Sequence, residues 1–313
     1  MPRPALGPEL LVVSSFDDTA VRRAHRGGDL VRLAPGRYVR AGLWALLDAP
    51  DRHALRAVAV ISASAYPLVA CRETAASVWG LASLGLPPER VHLLDTRAST
   101  TQTTRHAVKH RGALEESEVH ERCGILVTSP ARTALDLAAH SARRPAVVAL
   151  DDGYRQGLFT AAELLEGLGR RGEHRGAVRA EAAIRFADGR ADSPGESLSR
   201  LVFDEAGLEP PTLQQPFQTR RGRFLVDFCW ERAGVVGEFD GEVKYRDRSM
   251  RQGRSAEDVV VDEKRREDAI REDPRVRRFV RWTWADVRRP GLVPALLREA
   301  GVAVLGSTAS RVT

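Results

Sequence analysis

Apolar and polar residues follow different periods along the chain, and each change of period marks a predicted element. Near the N-terminus, residues 19–26 have the composition of a short helix, which the following glycine pair ends. Two short strand-like runs, 30–33 and 37–39, flank the turn Ala34-Pro-Gly and predict a β-hairpin. A helix, a glycine break and a hairpin in this order are typical of a winged helix-turn-helix.

The middle of the chain has the pattern of a mixed helical domain with interspersed strands. Residues 72–79 have the apolar spacing of a packed helix that Gly80 ends, and residues 91–94 have the pattern of a strand. A further helix starts after Ser129, a predicted N-cap that is followed by a proline in the first turn.

Two residue pairs in this segment have spacings that suggest contacts. Arg132 and Asp136 lie one helical turn apart and are predicted to pair on the surface of their helix. His106 and His110 have the spacing of two metal ligands on a helix, but the residues around them alternate like an exposed strand. We therefore expect no metal at these histidines.

A polar, turn-rich stretch around Asp192 predicts a domain boundary. The helix predicted after it carries Glu196 in its first turn. Two strands of an antiparallel pair follow, and each carries one acid between apolar neighbours, Asp227 in the first strand and Glu238 in the second.

Carboxylates in apolar surroundings are costly to bury singly and repel each other in pairs, and a divalent cation relieves both costs. Glu196 would add a third oxygen ligand to Asp227 and Glu238. Such a cluster is typical of metal-assisted phosphodiester hydrolysis, in which the ion activates water and neutralises charge on the phosphate. The residues by themselves leave a second interpretation open, that of half-exposed surface acids in ion pairs.

An ordered series of short motifs covers the last third of the chain. The series is Glu196-Ser, Val226-Asp-Phe, Glu238-Phe-Asp-Gly, Lys244-Tyr, Glu263-Lys-Arg-Arg-Glu-Asp and Val280-Arg-Trp-Thr-Trp-Ala-Asp-Val. It resembles the small endonuclease-like domain of unknown function related to very-short-patch-repair endonucleases, which belong to the PD-(D/E)xK superfamily. The resemblance implies Mg²⁺ or Mn²⁺ as cofactor. It also implies that Asp227 and Glu238 are catalytic metal ligands, with Glu196 as the helix-borne acid.

The superfamily motif would place a lysine two residues after Glu238, where this chain has Asp240. Lys244 is then the candidate for the catalytic lysine that orients water or the phosphate, and Asp240 is a candidate for a further metal ligand. The departure also leaves open a degenerate domain that binds nucleic acid without cleaving it.

The first two thirds of the chain resemble actinobacterial proteins classed with the AbiEi-type antitoxins. The motifs that carry this resemblance are Arg37-Tyr-Val, Glu73-Thr-Ala-Ala-Ser-Val-Trp-Gly-Leu and Ser129-Pro-Ala-Arg-Thr-Ala-Leu-Asp. It implies a winged-helix DNA-binding domain followed by an antitoxin-like domain. A cognate nucleotidyltransferase-like toxin is then a candidate partner.

The chain has 48 Lys and Arg against 42 Asp and Glu, a formal net charge of +6, which favours a polyanionic partner such as DNA. A GC-rich coding sequence would produce the same balance without such a partner. The candidate DNA contacts lie on the N-terminal helix, on the hairpin and on a charged C-terminal helix. They are Arg22, Arg23, Arg26, Arg32, Arg37, Lys264 and Arg266.

These patterns predict a multidomain α+β and α/β protein. Its parts are a winged-helix-like domain over 1–55, a mixed helical antitoxin-like domain over 56–188 and a restriction-endonuclease-like α/β domain over 192–303. Three widely spaced cysteines argue against a disulfide framework. No stretch has the apolar length of a signal peptide or a membrane span, so we expect a cytoplasmic protein that does not bind a membrane.

The predicted function is DNA binding combined with a Mg²⁺-dependent nuclease-like domain, in defence, repair or a toxin–antitoxin pair. The sequence leaves two alternatives open. One is a non-enzymatic, type IV antitoxin-like transcriptional autoregulator. The other is an interaction protein whose acidic residues form surface ion pairs.

Overall fold

The computed structural model of the protein describes residues 6–14, 18–172, 175–241 and 256–305. The chain is mixed α/β and divides into two compact units, Met1–Asp188 and Gly189–Thr313, called unit 1 and unit 2 below. Lys244, the predicted catalytic lysine, lies outside the described residues. Within them, no helix is both long and apolar enough to cross a membrane.

Unit 1 contains two of the sheets. Its helices are α1 (Thr19–Arg26), α2 (Ala41–Leu46), α3 (Ala49–Ser62), α4 (Arg72–Trp79), α5 (Pro130–His140), α6 (Arg143–Arg155), α7 (Ala161–Arg170) and α8 (Ala177–Phe186). Its strands are β1 (Val12–Val13), β2 (Leu30–Ala34), β3 (Arg37–Arg40), β4 (Val69–Ala70), β5 (Val91–Asp95), β6 (Gln102–Thr103), β7 (Ala107–Arg111), β8 (Val119–Arg122) and β9 (Ile125–Thr128). The sheet orders are β1-β3-β2 and β6-β7-β5-β4-β9-β8.

Local signals explain the ends of these helices. The Asp18 side chain accepts a hydrogen bond from Val21 N and caps α1, and the Ser129 side chain accepts one from Arg132 N and caps α5. Gly80 ends α4 in the left-handed conformation, at φ +82°. The predicted helix 19–26, the hairpin after it, the helix ended by Gly80 and the cap at Ser129 are confirmed.

The expected boundary between residues 55 and 56 falls inside helix α3. One hydrophobic core contains Leu33 and Val39 of the hairpin together with Leu55, Val91 and Val127. The two N-terminal domains expected from the sequence are therefore parts of one compact unit, because the hairpin shares its core with residues of the middle segment.

The pair Arg132 and Asp136 forms as predicted, at 3.1 Å, but its predicted place on the surface is wrong. Arg132 also contacts Glu118 at 2.6 Å, and Arg171 contacts Asp136 at 3.3 Å and Glu118 at 2.9 Å. The Asp136 side chain is only 9% exposed. Two arginines thus neutralise two acids in a half-buried network that joins the end of α7 to α5.

Unit 2 contains one mixed sheet with helices around it. Its helices are α9 (Pro194–Glu205), α10 (Ala256–Arg271), α11 (Trp284–Arg288) and α12 (Leu292–Ala300), and its strands are β10 (Thr212–Thr219), β11 (Gly222–Trp230), β12 (Val235–Asp240) and β13 (Arg278–Thr283). The strand order is β10-β11-β12-β13. The first three strands are antiparallel, and β13 runs parallel to β12.

An aromatic cluster forms the centre of unit 2. Phe203 of α9 contacts Phe228, Trp230 and Trp282 edge to face, and Phe228 stacks on Trp282 with ring centroids 5.4 Å apart. Trp282 faces the core and donates a hydrogen bond from Nε1 to Ser199 Oγ. Trp284 does not continue the strand, because Thr283 caps a new helix at this point and Trp284 begins it.

Candidate functional site

Four acidic side chains come from three adjacent elements of unit 2. Glu196 lies in the first turn of α9, Asp227 lies on β11, and Glu238 and Asp240 lie two residues apart on β12. Residues two apart on a strand point to the same face. The backbone pairing of β11 with β12 runs from Trp230 as far as Phe228 opposite Gly237, which places Asp227 and Glu238 next in the same register.

The carboxylate of Glu196 is buried and hydrogen-bonded. Its Oε2 accepts from Asp192 N at 2.9 Å and from Gln214 Nε2 at 3.0 Å, and its Oε1 accepts from Ser193 Oγ at 2.8 Å. The first two donors lie on different elements, so the carboxylate ties β10 to the start of α9. Burial, together with the charge of Asp227, nevertheless raises the pKa of Glu196 to about 7.

Gln214 reaches Glu196 from an unusual backbone conformation. Its φ is +49°, in the left-handed region, which costs a non-glycine residue about 1 kcal/mol. Such outliers persist where surrounding contacts hold them, and they are enriched at functional sites. Here the strained residue supplies the amide that binds the buried carboxylate of Glu196.

Asp227 is half-buried and replaces a backbone acceptor of the sheet. Its Oδ2 accepts a hydrogen bond from Phe239 N at 2.8 Å. The side chain is thereby held beside β12, next to Glu238. This position explains why the charge of Asp227 raises the pKa of both Glu196 and Glu238.

Glu238 is buried between two arginines. Arg266 Nη2 of α10 lies 2.8 Å from Oε1, and Arg281 Nη2 of β13 lies 3.3 Å from Oε2. Burial raises the pKa of Glu238 to about 7 even though both guanidiniums act to lower it, and the charges of Asp227 and Asp240 add to the rise. Arg281 Nη1 also lies 3.8 Å from Asp240.

The donor set has the chemistry of a site for a hard cation, since all four acids offer oxygen. The buried Oε1 of Glu238 also accepts no hydrogen bond. In the part of the chain that the structure describes, however, no three Asp, Glu, His or Cys side chains are arranged to hold one metal ion. Glu238 instead faces two guanidiniums, and a cation at this carboxylate would have to replace one of them.

The predicted DNA contacts of unit 1 are differently placed. Arg22, Arg23 and Arg26 are exposed on α1, and Arg32 is exposed on β2. Arg37 is instead engaged inside the unit. It donates from Nε to Ser62 Oγ at 3.1 Å, from Nη2 to Ser62 O at 2.7 Å and from Nη1 to Gly36 O at 3.2 Å. Its guanidinium therefore fixes β3 to the end of α3.

The charged C-terminal helix forms as α10, with Lys264 exposed on it. Arg266 points inward to Glu238 and to Leu225 O, and Arg271 pairs with Glu267. Arg266, predicted to contact DNA, thus lies against the acidic site in this structure.

Nothing in the local pattern marks Gln214 or Arg281 as site residues. Their positions depend on strand register, which joins segments far apart in the chain, such as Glu238 opposite Arg281. Strand β13 carries two arginines, Arg278 and Arg281, so charge alone does not single out Arg281 in the sequence.

A second cluster of titratable groups lies in unit 1. His92 Nδ1 is 3.0 Å from Glu73 Oε2, and the rings of His92 and His110 are 5.0 Å apart. Burial alone would raise the pKa of Glu73, but the nearby His92 ring and a hydrogen bond from Ser141 help to lower it to about 2. Burial lowers the pKa of His110 to about 4, with Arg72 and His92 adding to the effect. His110 is therefore a packed strand residue, and His106 precedes β7.

The fold and the site together define a two-unit α/β protein with a buried acidic cluster at the sheet of unit 2. No protein-family model matches the chain. The uncharacterized proteins MT2308 and Rv2248, from two strains of Mycobacterium tuberculosis, are each 32% identical to it over 173 residues. The similarity covers 55% of this chain and 62% of each relative, so the chain spans less than two thirds of the length of these relatives.

Proposed function

We propose that the protein binds DNA through unit 1 and hydrolyses phosphodiester bonds at the acidic cluster of unit 2. The observation that carries the proposal is that Asp227 lies near enough to both Glu196 and Glu238 for its charge to act on each. The charge of Asp227 raises the pKa of both glutamates, and each reaches about 7. Groups with strongly perturbed pKa values that share one site are candidates for chemistry.

The chemistry assigned to the site needs a divalent cation, Mg²⁺ or Mn²⁺, which when bound polarises the phosphate and lowers the pKa of water. Asp227 and Glu238 would hold it, with Asp240 and Glu196 beside them. Gln214 and Ser193 keep Glu196 oriented through its two oxygens. Lys244 remains the proposed group for orienting water or the phosphate.

The test uses the full chain with plasmid, linear and mismatched DNA, each with Mg²⁺, with Mn²⁺ and with a chelator. We expect cleavage that needs the cation and that Asp227→Asn and Glu238→Gln both abolish, while DNA binding persists. Glu272→Gln is the matched control, because Glu272 is an exposed acid just after α10. Cleavage at the wild-type rate in both site variants would overturn the proposal.

The contacts of Glu238 also favour a second function. Because Arg266 and Arg281 already neutralise this acid, the cluster is compatible with a non-enzymatic domain in a type IV antitoxin-like autoregulator. That function predicts specific binding to DNA upstream of its own gene, no cation-dependent cleavage, and a nucleotidyltransferase-like toxin encoded beside it. A footprinting assay on the upstream DNA, run beside the cleavage assay, distinguishes the two functions.

A further inference from the structure

The buried negative charge of Glu238 is neutralised by nearby arginines, but its carboxylate oxygens are not fully hydrogen-bonded. Arg266 Nη2 lies 2.8 Å from Oε1, yet this oxygen accepts no hydrogen bond, because Arg266 directs Nη2–H towards Leu225 O. A buried carboxylate oxygen without an aligned donor is poorly satisfied. Arg266 therefore places a positive charge beside Oε1 without donating an aligned hydrogen bond to it.

The two arginines at Glu238 are anchored differently. Arg281 lies on β13, directly opposite Glu238 in the parallel register, and its guanidinium also contacts Asp240 and Glu267. Arg266 comes from helix α10 and contacts the carboxylate of Glu238; the structure does not describe the side chains of residues 256–263 on the same helix. The Arg266 side chain is 28% exposed. The backbone of Arg281 thus belongs to the same sheet as Glu238. The Arg266 guanidinium reaches Glu238 from a helix, and a change of side-chain rotamer would move it away from the carboxylate.

We infer that Arg266 is an internal competitor of the divalent cation at Glu238. The inference rests on the cation site of the proposed function and adds a form of regulation to it. With Arg266 in place, Glu238 is neutralised by the protein itself. A cation that binds Asp227 and Glu238 must displace this guanidinium, so the position of α10 sets the affinity of the site for metal.

The probes are MgCl₂ and MnCl₂ alone, titrated into the full chain in a calorimeter, with NaCl at matched ionic strength as the reference. We expect Arg266→Gln to bind the cation about tenfold more tightly than wild type, a difference of about 1.4 kcal/mol. Its thermal midpoint should also rise more on addition of Mg²⁺. Arg266→Lys keeps the charge but loses Nη2, the atom that lies beside Glu238 and donates to Leu225 O, so its affinity should lie between the two.

The matched control is Arg271→Gln. Arg271 lies on the same helix, and its guanidinium pairs with Glu267 rather than with Glu238. Its removal should leave the affinity for the cation within twofold of wild type. Because Arg266→Lys retains the positive charge, it also provides a folded comparison should Arg266→Gln be too unstable to titrate.

The possible outcomes distinguish the proposal that Arg266 competes with the cation from the proposal that the protein is a nuclease. Equal cation affinities in wild type, Arg266→Gln and Arg266→Lys overturn the competitor and leave the cation site in place. No cation binding in any variant overturns both. Tighter binding in Arg266→Gln without DNA cleavage by any variant supports the competitor and contradicts the nuclease.

Discussion

Arg37 lies at the start of β3, and its guanidinium donates three hydrogen bonds to protein groups of Ser62 and Gly36. Arg37→Ala should therefore lower the free energy of unfolding, by about 2 kcal/mol, the scale of hydrogen bonds to a charged donor. Arg40→Ala is the control, because Arg40 is exposed on the same strand and surface changes are usually within about 0.5 kcal/mol. Urea unfolding of both variants measures the difference. A loss of DNA binding with unchanged stability would instead place Arg37 at the interface.

The three exposed arginines of α1 lead to a different expectation. If Arg22, Arg23 and Arg26 contact phosphates, the triple alanine variant should bind DNA more weakly. The slope of log affinity against log salt should also become shallower by about 0.9 for each phosphate that the variant no longer neutralises. Fluorescence anisotropy with one duplex over a range of salt concentrations gives this slope. An unchanged slope would exclude α1 from the interface.

At the scale of elements, Gly195 controls how closely α9 approaches the sheet. A Cβ at this position would lie 2.0 Å from the Phe239 ring. Alanine is more stable than glycine in a helix by about 1 kcal/mol. Gly195→Ala should nevertheless destabilise unit 2, because the Phe239 ring and helix α9 must move apart. This separation would carry Glu196 away from Asp227, so the pKa of Glu196 should fall from about 7.

Gly169 provides the control for this prediction. It lies in α7, and a Cβ there would meet nothing within 4 Å. Gly169→Ala should therefore stabilise the protein by about 1 kcal/mol. Thermal unfolding measures both variants, and titration by carboxyl NMR measures the pKa of Glu196. A stabilising effect of Gly195→Ala equal to that of Gly169→Ala would contradict the close approach.

The sequence predicted those elements whose causes are local. The cap at Ser129 and the stop at Gly80 depend on a few neighbouring residues, so their patterns are visible in the chain. The meeting of Asp227 and Glu238 was also predictable, because consecutive antiparallel strands pair. The pairing of Glu238 with Arg281 was not, because it depends on a parallel crossover whose register no local pattern specifies.

At the scale of the whole molecule, the two units should respond to pH in opposite directions. In unit 1, burial lowers the pKa of His53 from 6.5 to about 4, and that of His110 to about 4 as well. The unfolded chain then binds more protons than the folded one between these values. Stability is fully present above pH 6.5 and is lost as the pH falls towards 4, by at most about 1.4 kcal/mol per pH unit for each histidine.

In unit 2, stability depends on pH in the opposite direction. The pKa of Glu196 and of Glu238 rises from 4.5 to about 7 on folding, so the folded state binds more protons between these values. The contribution of these two groups to stability is fully present below pH 4.5 and is lost as the pH rises towards 7. The pH ranges of the two responses overlap between 4.5 and 6.5.

Hydrogen exchange with mass spectrometry resolves the two units, because each peptide belongs to one of them. Once corrected for intrinsic exchange, protection of core amides should increase with pH in unit 1 and decrease in unit 2 across this window. Glu238→Gln should weaken the response of unit 2 and leave that of unit 1 unchanged. A parallel response in both units would contradict the assigned pKa values.

The aromatic cluster of unit 2 gives this unit an optical signal of its own. Trp230 and Trp282 are fully buried, and Trp282 is fixed by Phe228 on one side and by its hydrogen bond to Ser199. Indoles held rigidly in an asymmetric environment produce near-ultraviolet circular dichroism that disappears when side-chain packing loosens. The Trp44 and Trp79 rings of unit 1 are half-buried beside arginines. Trp79 also donates a hydrogen bond, to Thr128 O, so ellipticity near the indole bands reports on both units. The part contributed by Trp230 and Trp282 follows the sheet that carries the acidic site, without any label added to the protein.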